Sequence, residues 1–227
     1  MLDIHAHILP GVDDGAADEA EAVEMLKVAQ LAGIDRIVAT PHVSRKSGID
    51  RCRSTYERLR DVAQEYGITL IFGCELSVGV LAGVEISPEV LAPLAIGETN
   101  FILLEFPDDV PPLDWEYLVC DIKRVGFHVI IAHPERYRYI VKAISLAREF
   151  LNYGCELQLD AMSFLRGKFS AERRTAMKLL ENGFISYIAS DAHHTKDYVS
   201  FSVVRRLLGQ EWPVDGLLEK LTLFSKY

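Results

Sequence analysis

The chain has 227 residues, of which 49% are hydrophobic, and its 33 Asp and Glu against 24 Lys and Arg give a formal net charge of −9. This composition predicts one globular domain over residues 1–227 and excludes a disordered chain, and the acidic balance argues against general nucleic-acid binding. The sequence contains no run of about 18 uncharged apolar residues and has polar residues from Asp3 onward, so we expect neither membrane insertion nor a secretory leader, and a cytoplasmic location.

Short β-branched runs alternate with amphipathic stretches of helical length along the chain. Strands are predicted at residues 2–6, 35–40, 68–74, 100–105, 127–132, 155–160 and 184–189. Helices are predicted at residues 17–32, 49–66, 87–95, 113–125, 136–153, 170–182, 197–208 and 213–225, with a hairpin or loop at 76–86. Helix-ending glycines are expected at Gly33, Gly67, Gly126, Gly154 and Gly183. This alternation indicates an α/β fold with a parallel sheet, and the near-equal units favour a closed barrel over an open doubly wound sheet.

Polar side chains follow six of the seven predicted strands at their carboxyl ends. In barrels of this kind, that rim is where active sites are built. The candidate ligands are His5, His7, Asp14, His42, Glu75, Glu105, His133, Asp191 and His193. Only the strand that ends at Gln158 and Asp160 offers no clear candidate.

These residue types predict a metal centre. Each residue alone has an ordinary structural explanation, such as a hydrogen-bonded histidine or a buried ion pair, but placement at six strand ends favours a shared site. Mixed imidazole and carboxylate ligands suit Zn, Mn or Fe better than Mg or Ca. Nine candidates exceed the needs of one ion and would fill two or three sites. Two ions about 3.5–4 Å apart suit phosphoester hydrolysis.

A second phosphatase pattern must be weighed against this one. Cys52 and Arg58 have the spacing found in cysteine-based tyrosine phosphatases. The intervening residues contain no glycine and lie in a predicted helix, whereas a phosphate-cradling loop needs splayed backbone N–H groups. We therefore expect Cys52 to be a packing residue, and the four widely spaced cysteines to form neither a disulfide framework nor a thiolate site.

The motifs resemble the polymerase and histidinol phosphatase (PHP) superfamily. The string Asp-Ile-His-Ala-His-Ile-Leu-Pro-Gly-Val-Asp-Asp-Gly at 3–15, with Thr-Pro-His at 40–42, His-Pro-Glu-Arg at 133–136 and Ser-Asp-Ala-His at 190–193, is similar to the bacterial manganese-dependent protein-tyrosine phosphatases of capsule and exopolysaccharide loci. The resemblance spans residue 1 to about residue 208. It implies a distorted seven-stranded (β/α)7 PHP barrel and a cluster of two or three divalent ions, usually manganese.

The resemblance also assigns roles to the candidate residues. It places His5, His7, Glu75 and Asp191 on one ion; Glu75, Glu105 and His133 on a second; and Asp14, His42 and His193 on a third. Asp14 is chosen over its neighbour Asp13. Arg136 matches the arginine that would clamp phosphate oxygens. The expected reaction is hydrolysis of a phosphomonoester by a hydroxide that bridges the ions.

One departure from the family concerns the residues after Asp191-Ala192-His193, where Lys196 stands in a stretch in which the relatives carry an arginine. Lysine offers a point charge rather than a planar fork, which bears on phosphotyrosine specificity. The expected partner is a phosphotyrosine-bearing tail, such as that of a bacterial tyrosine kinase. Two interpretations are open for Arg45, Lys46, Arg51 and Arg53: they steer this tail, or they form a solvated, salt-bridged helix start. The alternatives are histidinol phosphate or another phosphoester as substrate, and a metal-stabilised binding module without activity.

Overall fold

Parallel strands and helices alternate through the computed structural model, which describes residues 1–43, 48–209 and 212. Within these residues the strands are β1 Leu2–Ala6, β2 Arg36–Ala39, β3 His42–Val43, β4 Thr69–Phe72, β5 Glu75–Ser77, β6 Phe101–Glu105, β7 His128–Ala132, β8 Glu156–Asp160 and β9 Tyr187–Ala189. The helices are α1 Glu19–Leu31, α2 Ile49–Glu65, α3 Val78–Leu81, α4 Pro88–Leu91, α5 Trp115–Arg124, α6 Arg138–Lys142, α7 Ser145–Asn152, α8 Met162–Leu165, α9 Ala171–Glu181 and α10 Thr195–Leu208. Single turns of 3-10 helix lie at Ala92–Leu94 and Pro134–Arg136. The predicted α/β alternation with parallel strands is confirmed.

Capping residues set the helix ends that the sequence predicts. Asp18 accepts a hydrogen bond from the Glu21 N–H at 2.9 Å and so satisfies an amide that the first turn of α1 leaves open. Gly33 follows α1 with a φ of 82°, a left-handed conformation that glycine adopts without a Cβ clash. The predicted limits of α1 and α2 therefore agree with the observed ones to within two residues.

The strands form two hydrogen-bonded sheets whose order follows the chain. The first sheet has the order β1-β2-β4 and the second the order β3-β5-β6-β7-β8-β9, with every pair parallel. Backbone hydrogen bonds also join β1 to the segment after β9, from the Asp191 N–H to the His5 carbonyl at 3.0 Å and from the His7 N–H to the Ala192 carbonyl at 2.9 Å. A doubly wound sheet reverses its strand order at one point, and neither sheet does so.

Two predicted strands are each divided in two, and the division shapes the site. The run predicted at 35–40 gives β2, breaks at Thr40 and Pro41, and resumes as β3, because proline has no N–H to donate to a ladder. The run predicted at 68–74 breaks at Gly73, where a Cβ would lie 2.9 Å from Val38 Cγ1. Beyond both breaks, β3 pairs with β5.

Three other predicted elements differ from the structure. The helix predicted at 136–153 is two helices, α6 and α7, separated at residues 143–144. The predicted hairpin or loop at 76–86 contains the short helix α3, and the predicted helix at 87–95 ends after one turn and continues as a 3-10 turn. The predicted helix at 213–225 lies outside the described residues. Among the helices of the described part, none is both long and apolar enough to cross a membrane.

Apolar side chains pack on both faces of the strands, as the alternation of a strand requires. In β6, Phe101 and Leu103 belong to a small cluster that also contains residues of β1, β7 and β9, whereas Ile102 and Leu104 pack in the larger cluster with the helices. In β8, Leu157 and Leu159 pack with the helices. The intervening residues of β8 therefore face the side opposite to the helices.

Candidate metal centre

Five of the nine candidate ligands are buried and lie close together. We call this set, which consists of His5, His7, Glu75, His133 and Asp191, the buried half of the centre. The Nε2 atoms of His5 and His7 are 3.1 Å apart. Glu75 Oε2 lies 3.2 Å and 3.3 Å from these two nitrogens, and Asp191 Oδ1 lies 3.3 Å from both. His133 Nε2 lies 2.8 Å from the other Glu75 oxygen, Oε1.

Partners behind the first two histidines fix the direction in which their rings point. His5 Nδ1 lies 2.9 Å from Gln158 Oε1, and His7 Nδ1 lies 2.9 Å from Asp13 Oδ2. Because both partners are acceptor oxygens, each Nδ1 donates to its partner, and each Nε2 offers a lone pair to the centre when its ring is neutral. An imidazole held in this way by a second hydrogen bond is the usual arrangement of a metal-ligating histidine.

Two ligands of the buried half have a strained backbone. His133 has a φ of 33° and Asp191 a φ of 47°, and among the described residues these are the only ones other than glycine with positive φ. Such conformations are costly for residues with a Cβ and concentrate at functional sites. His133 directly follows β7 and Asp191 lies two residues after β9, where the left-handed conformation redirects the chain at the rim.

The other four candidates, Asp14, His42, Glu105 and His193, form the open half of the centre. Their side chains are 69%, 37%, 32% and 24% exposed, in that order. Asp14 Oδ1 lies 3.7 Å from His42 Nε2 and 3.5 Å from His193 Nε2. Glu105 Oε1 lies 4.0 Å from His133 Nε2. These separations are longer than those within the buried half, except that His42 Nδ1 lies 3.1 Å from Glu75 Oε2.

The donor atoms have the arrangement that cations require. Glu75 Oε2 is buried and accepts no hydrogen bond, although three imidazole nitrogens lie within 3.1–3.3 Å of it. The facing lone pairs of His5 and His7 cannot hydrogen-bond to each other while each proton is on Nδ1, whereas a cation would be held by both. Three groups could each hold an ion: His5, His7 and Glu75; His42, Glu75 and Glu105; and His7, Asp14, His42 and His193. The residues present therefore fit two or three ions of a metal that takes nitrogen and oxygen ligands.

In the buried half, attraction between opposite charges offsets the effect of burial on the pKa values. Burial opposes the charged form of His5, but Glu75 and Asp191 raise its pKa to about 9. Burial would raise the pKa of Glu75, but His5 and His133 hold it well below the ordinary value. Asp191 shows the same pattern, because His5, His7 and Arg136 hold its pKa well below the ordinary value despite burial. The carboxylates are therefore ionised and ready to bind cations.

Arg136 stands at the edge of the buried half, in the 3-10 turn after β7. Its Nη2 donates to Asp160 Oδ2 and Asp191 Oδ2, both at 2.6 Å. Burial opposes its charge, but Asp191 and Asp160 raise its pKa, so the side chain is always a cation. The side chain is 30% exposed and its Nε is buried without a hydrogen-bond partner, so the guanidinium is fixed by the two carboxylates and keeps donors in reserve. This is the geometry of a positioned anion clamp.

The strand for which the sequence offered no candidate holds two supporting residues. Gln158 orients His5, and Asp160 holds Arg136. The alternation of side chains along β8 could have revealed both residues from the sequence. Leu157 and Leu159 pack against the helices, so Gln158 and Asp160 face the opposite side. Asp13 lies behind the candidate donors, because its Oδ2 contacts His7 Nδ1 and accepts from the His42 N–H at 3.0 Å. Asp14, rather than Asp13, lies among the donors of the open half.

Two of the predicted steering cations are hydrogen-bonded to backbone carbonyls, and two lie outside the described residues. Arg51 Nη2 donates to the Gly11 carbonyl at 2.5 Å, and Arg53 Nη2 donates to the Pro93 carbonyl at 3.0 Å. Arg45 and Lys46 are outside the described residues. Lys196 is exposed in the first turn of α10.

The alternative site at Cys52 has no support in the structure. Cys52 lies in α2, is 0% exposed and belongs to the hydrophobic core, and burial raises the pKa of its thiol. A nucleophilic cysteine needs an accessible thiolate, which requires a lowered pKa. All four cysteines are free thiols, as expected from their spacing.

Comparison with known proteins points to one group of enzymes. The family model described as capsular polysaccharide synthesis, CpsB/CapC, matches residues 1–199. The tyrosine-protein phosphatase YwqE of Bacillus subtilis (strain 168) is 37% identical over 100% of this chain and 94% of its own length. The putative tyrosine-protein phosphatase CapC of Staphylococcus aureus is 34% identical over 85% of this chain and 77% of its own length.

A solved structure extends the likeness to three dimensions. It is described as YwqE from Bacillus subtilis and CpsB from Streptococcus pneumoniae, unique metal-dependent tyrosine phosphatases. It matches with a TM-score of 0.80 and 30% identity, over 92% of this chain and 88% of that chain. The resemblance that the sequence motifs indicate is therefore confirmed.

Proposed function

The chain belongs to the capsular polysaccharide synthesis family CpsB/CapC, and from that premise we propose that it is a metal-dependent protein-tyrosine phosphatase. The observation that carries the proposal is the convergence of His5, His7 and Glu75 on one point, with Arg136 fixed beside them. Relatives of this chain are curated tyrosine-protein phosphatases, and the matching solved structure is described as metal-dependent.

Two or three divalent ions would be held by the nine candidate residues, with manganese as the first expectation and zinc or iron as the others. Bound ions of this kind hold phosphoryl oxygens and acidify a water molecule at neutral pH. His5, His7, Glu75 and Asp191 would hold the innermost ion. Glu75 would be shared with a neighbouring ion, because both of its oxygens lie among imidazole nitrogens.

The chain's own contribution to catalysis is positioning. Arg136 would donate to phosphoryl oxygens through the side of its guanidinium that Asp160 and Asp191 do not occupy. Because these two carboxylates fix the guanidinium in advance, little reorganisation is needed when charge develops in the transition state. The phenol of tyrosine has a pKa of about 10, so it leaves with less proton assistance than an alkoxide would.

The fold proposal is a distorted barrel of seven strand segments in a single phosphatase unit over residues 1–227. Counting β2 with β3 and β4 with β5 gives seven runs in chain order. The parallel bridge between Ala6 and Ala192 supports closure between the first and last runs. Closure of this kind brings the carboxyl ends of all strands to one rim, which suits a site whose candidate ligands follow six of the seven strand segments.

The proposed substrate is the phosphotyrosine-bearing tail of a protein of capsule or exopolysaccharide synthesis, such as a bacterial tyrosine kinase. The open half supports a protein substrate, because Asp14, His42 and His193 leave one side of the centre accessible to solvent. A small substrate such as histidinol phosphate would be favoured by a more enclosed site.

Chelator-stripped protein, reloaded separately with Mn, Zn, Fe, Co and Mg, tests the proposal. Turnover of a phosphotyrosine peptide is compared with turnover of a phosphoserine peptide and of histidinol phosphate. We expect metal-dependent release of phosphate from the phosphotyrosine peptide. Turnover of histidinol phosphate alone would reassign the substrate. Folded, metal-loaded protein without any turnover would support a binding module and contradict the proposed activity.

A further inference from the structure

The loop and helix that follow β8 carry a concentration of positive charge in an otherwise acidic protein. Residues 161–178 contain five Lys and Arg residues and a single carboxylate, although the whole chain has a formal charge of −9. By contrast, residues 78–89 and 106–116, which follow β5 and β6 at the same rim, contain six carboxylates and no Lys or Arg. The mouth of the centre is therefore basic on one side and acidic on another.

The basic side is a surface that we call the basic rim. It consists of Leu165, Arg166, Lys168, Phe169, Arg173 and Arg174. Leu165 and Phe169 are 37% and 80% exposed, so the surface combines cations with accessible apolar area. Lys168 Nζ lies 5.1 Å from the centre of the Phe169 ring, within the range of a cation–π contact.

Side-chain hydrogen bonds give the basic rim a defined shape. Arg173 Nη1 donates to the Arg166 carbonyl at 3.0 Å, and Arg174 Nη1 donates to the Phe169 carbonyl at 2.6 Å. Arg166 forms an ion pair with Glu172. A guanidinium has five N–H donors, and each contact to the loop takes one of them, so these arginines can bind a further anion while they hold the loop.

Helix stability does not account for the position of these cations. Arg173 and Arg174 lie in the first turns of α9, after the N-cap Ser170. Cations at a helix N-terminus oppose the helix dipole and lower helix stability. The helix itself therefore does not explain these cations, and their hydrogen bonds to the loop leave further N–H donors for a ligand.

The basic rim lies next to the proposed phosphate clamp. Asp160, which holds Arg136, also accepts a hydrogen bond from the Met162 N–H at 2.8 Å, at the start of the segment that carries the rim. Arg166 is six residues from Asp160, so it lies within roughly 20 Å of that carboxylate along the chain. An extended peptide spans the same distance in about six residues.

We infer that the basic rim binds acidic residues that flank the phosphotyrosine of a protein substrate. This inference rests on the proposed function and names the class of substrate for it. With the phosphate at the metal centre, the peptide would run over α9, and carboxylates within about six positions of the phosphotyrosine would meet Lys168 and Arg174. The acidic loops after β5 and β6 would repel the same peptide, so the two sides of the mouth together set its direction.

The test compares two charge-reversal variants of the whole chain. The first is Lys168→Glu with Arg174→Glu. The matched control is Arg60→Glu with Arg124→Glu, which makes the same change in net charge at exposed residues of α2 and α5. Substrates are free phosphotyrosine, a phosphotyrosine peptide with flanking Glu and Asp, and the same peptide with these residues replaced by Gln and Asn.

For the rim variant we expect KM for the acidic peptide to rise about tenfold, with kcat and all constants for free phosphotyrosine unchanged, because attraction of this kind changes capture rather than chemistry. The salt dependence of kcat/KM for the acidic peptide should also weaken. An equal rise in the control variant, or an unchanged KM in the rim variant, would overturn the inference. Unchanged constants for free phosphotyrosine show that the variant is folded, and Lys168→Glu alone replaces the double variant if they change.

Binding of a non-hydrolysable phosphonate version of the acidic peptide, followed by fluorescence anisotropy, separates this inference from the proposed activity. Weaker binding by the rim variant, together with no turnover of any substrate by the wild type, would contradict the activity and support the surface. Turnover of free phosphotyrosine by the wild type, together with equal binding by both variants, would contradict the surface and support the activity.

Discussion

The buried and open halves of the metal centre are built from the same residue types but are held in different ways. In the buried half, His5 and His7 each have a hydrogen-bond partner behind the ring, and their Nε2 atoms are 3.1 Å apart. In the open half, Asp14 is 69% exposed and lies 3.5–3.7 Å from the nearest imidazole nitrogens. The comparison indicates that the protein fixes one side of the centre in advance and leaves the other side adjustable, where water and substrate enter.

The largest effect is expected from the buried half. Asp191→Asn keeps the size of the side chain and its tolerance of the left-handed backbone, but it removes a charge next to His5, His7 and Arg136. Activity should fall by about a thousandfold or more, since bound metal contributes several kcal/mol and each 1.36 kcal/mol is tenfold in rate. Metal content and phosphotyrosine turnover are measured together, with Asp121→Asn on the surface of α5 as control. Full activity of Asp191→Asn would contradict the site.

A smaller loss, of metal affinity, is expected at a residue that holds a candidate ligand in place. Asp13→Asn cannot accept hydrogen bonds from both His7 and the His42 N–H while also accepting from the Gly15 N–H, as Asp13 does. Loss of such a supporting carboxylate lowers metal affinity by about 10–100-fold. Titration of stripped protein with Mn gives the affinity. An unchanged affinity would mean that His7 is held by the strand alone.

In the open half, an Asp-to-Asn substitution should lower metal affinity less than Asp13→Asn does. Asp14→Asn should weaken metal binding by about tenfold or less, at the low end of what supporting carboxylates contribute, because water replaces an exposed oxygen donor easily. The same Mn titration measures it, and Asp13→Asn is the matched neighbour. A loss as large as that of Asp13→Asn would show that the two halves are equally fixed.

The smallest effect is a release of protons when metal binds. In metal-free protein Glu75 and Asp191 raise the pKa of His5 to about 9, so His5 is protonated at pH 7.5, and the pKa of His7 is raised as well. Binding requires the neutral imidazole, so loading at this pH should release about one proton from His5. The release should fade as the pH rises above about 9, and apparent affinity should increase over the same interval. Calorimetry in buffers of different ionisation enthalpy counts the protons, and none released at pH 7.5 would contradict the coupling in the buried half.

Much of the fold and of the centre could be predicted from local sequence signals. Helix caps such as Asp18 and Gly33 act within a few residues, so the limits of α1 and α2 are readable. Polar residues at successive strand ends also predict a shared rim, and the structure brings all nine candidates to one place.

Other features depend on contacts between distant residues and could not be predicted. The division of two strands depends on Pro41 and on the packing of Gly73 against Val38, which are far apart in sequence. The residues around Gln158 are those of an ordinary strand. Its role is visible only in the folded structure, where it contacts His5, 153 residues away in sequence. To choose between Asp13 and Asp14, one must know where each side chain points within the turn. Two adjacent residues of the same type give no sequence signal for that direction.

The hydrogen bonds that join β1 to the segment after β9 also set the order in which the protein can be completed. Asp191, whose N–H donates to the His5 carbonyl, is made about 186 residues after His5. At roughly 5–20 residues per second, the first histidines wait about 10–40 s for the strand that completes their site. Metal bound at the centre would therefore mark a chain that has been synthesised at least as far as Asp191 and has closed there onto β1.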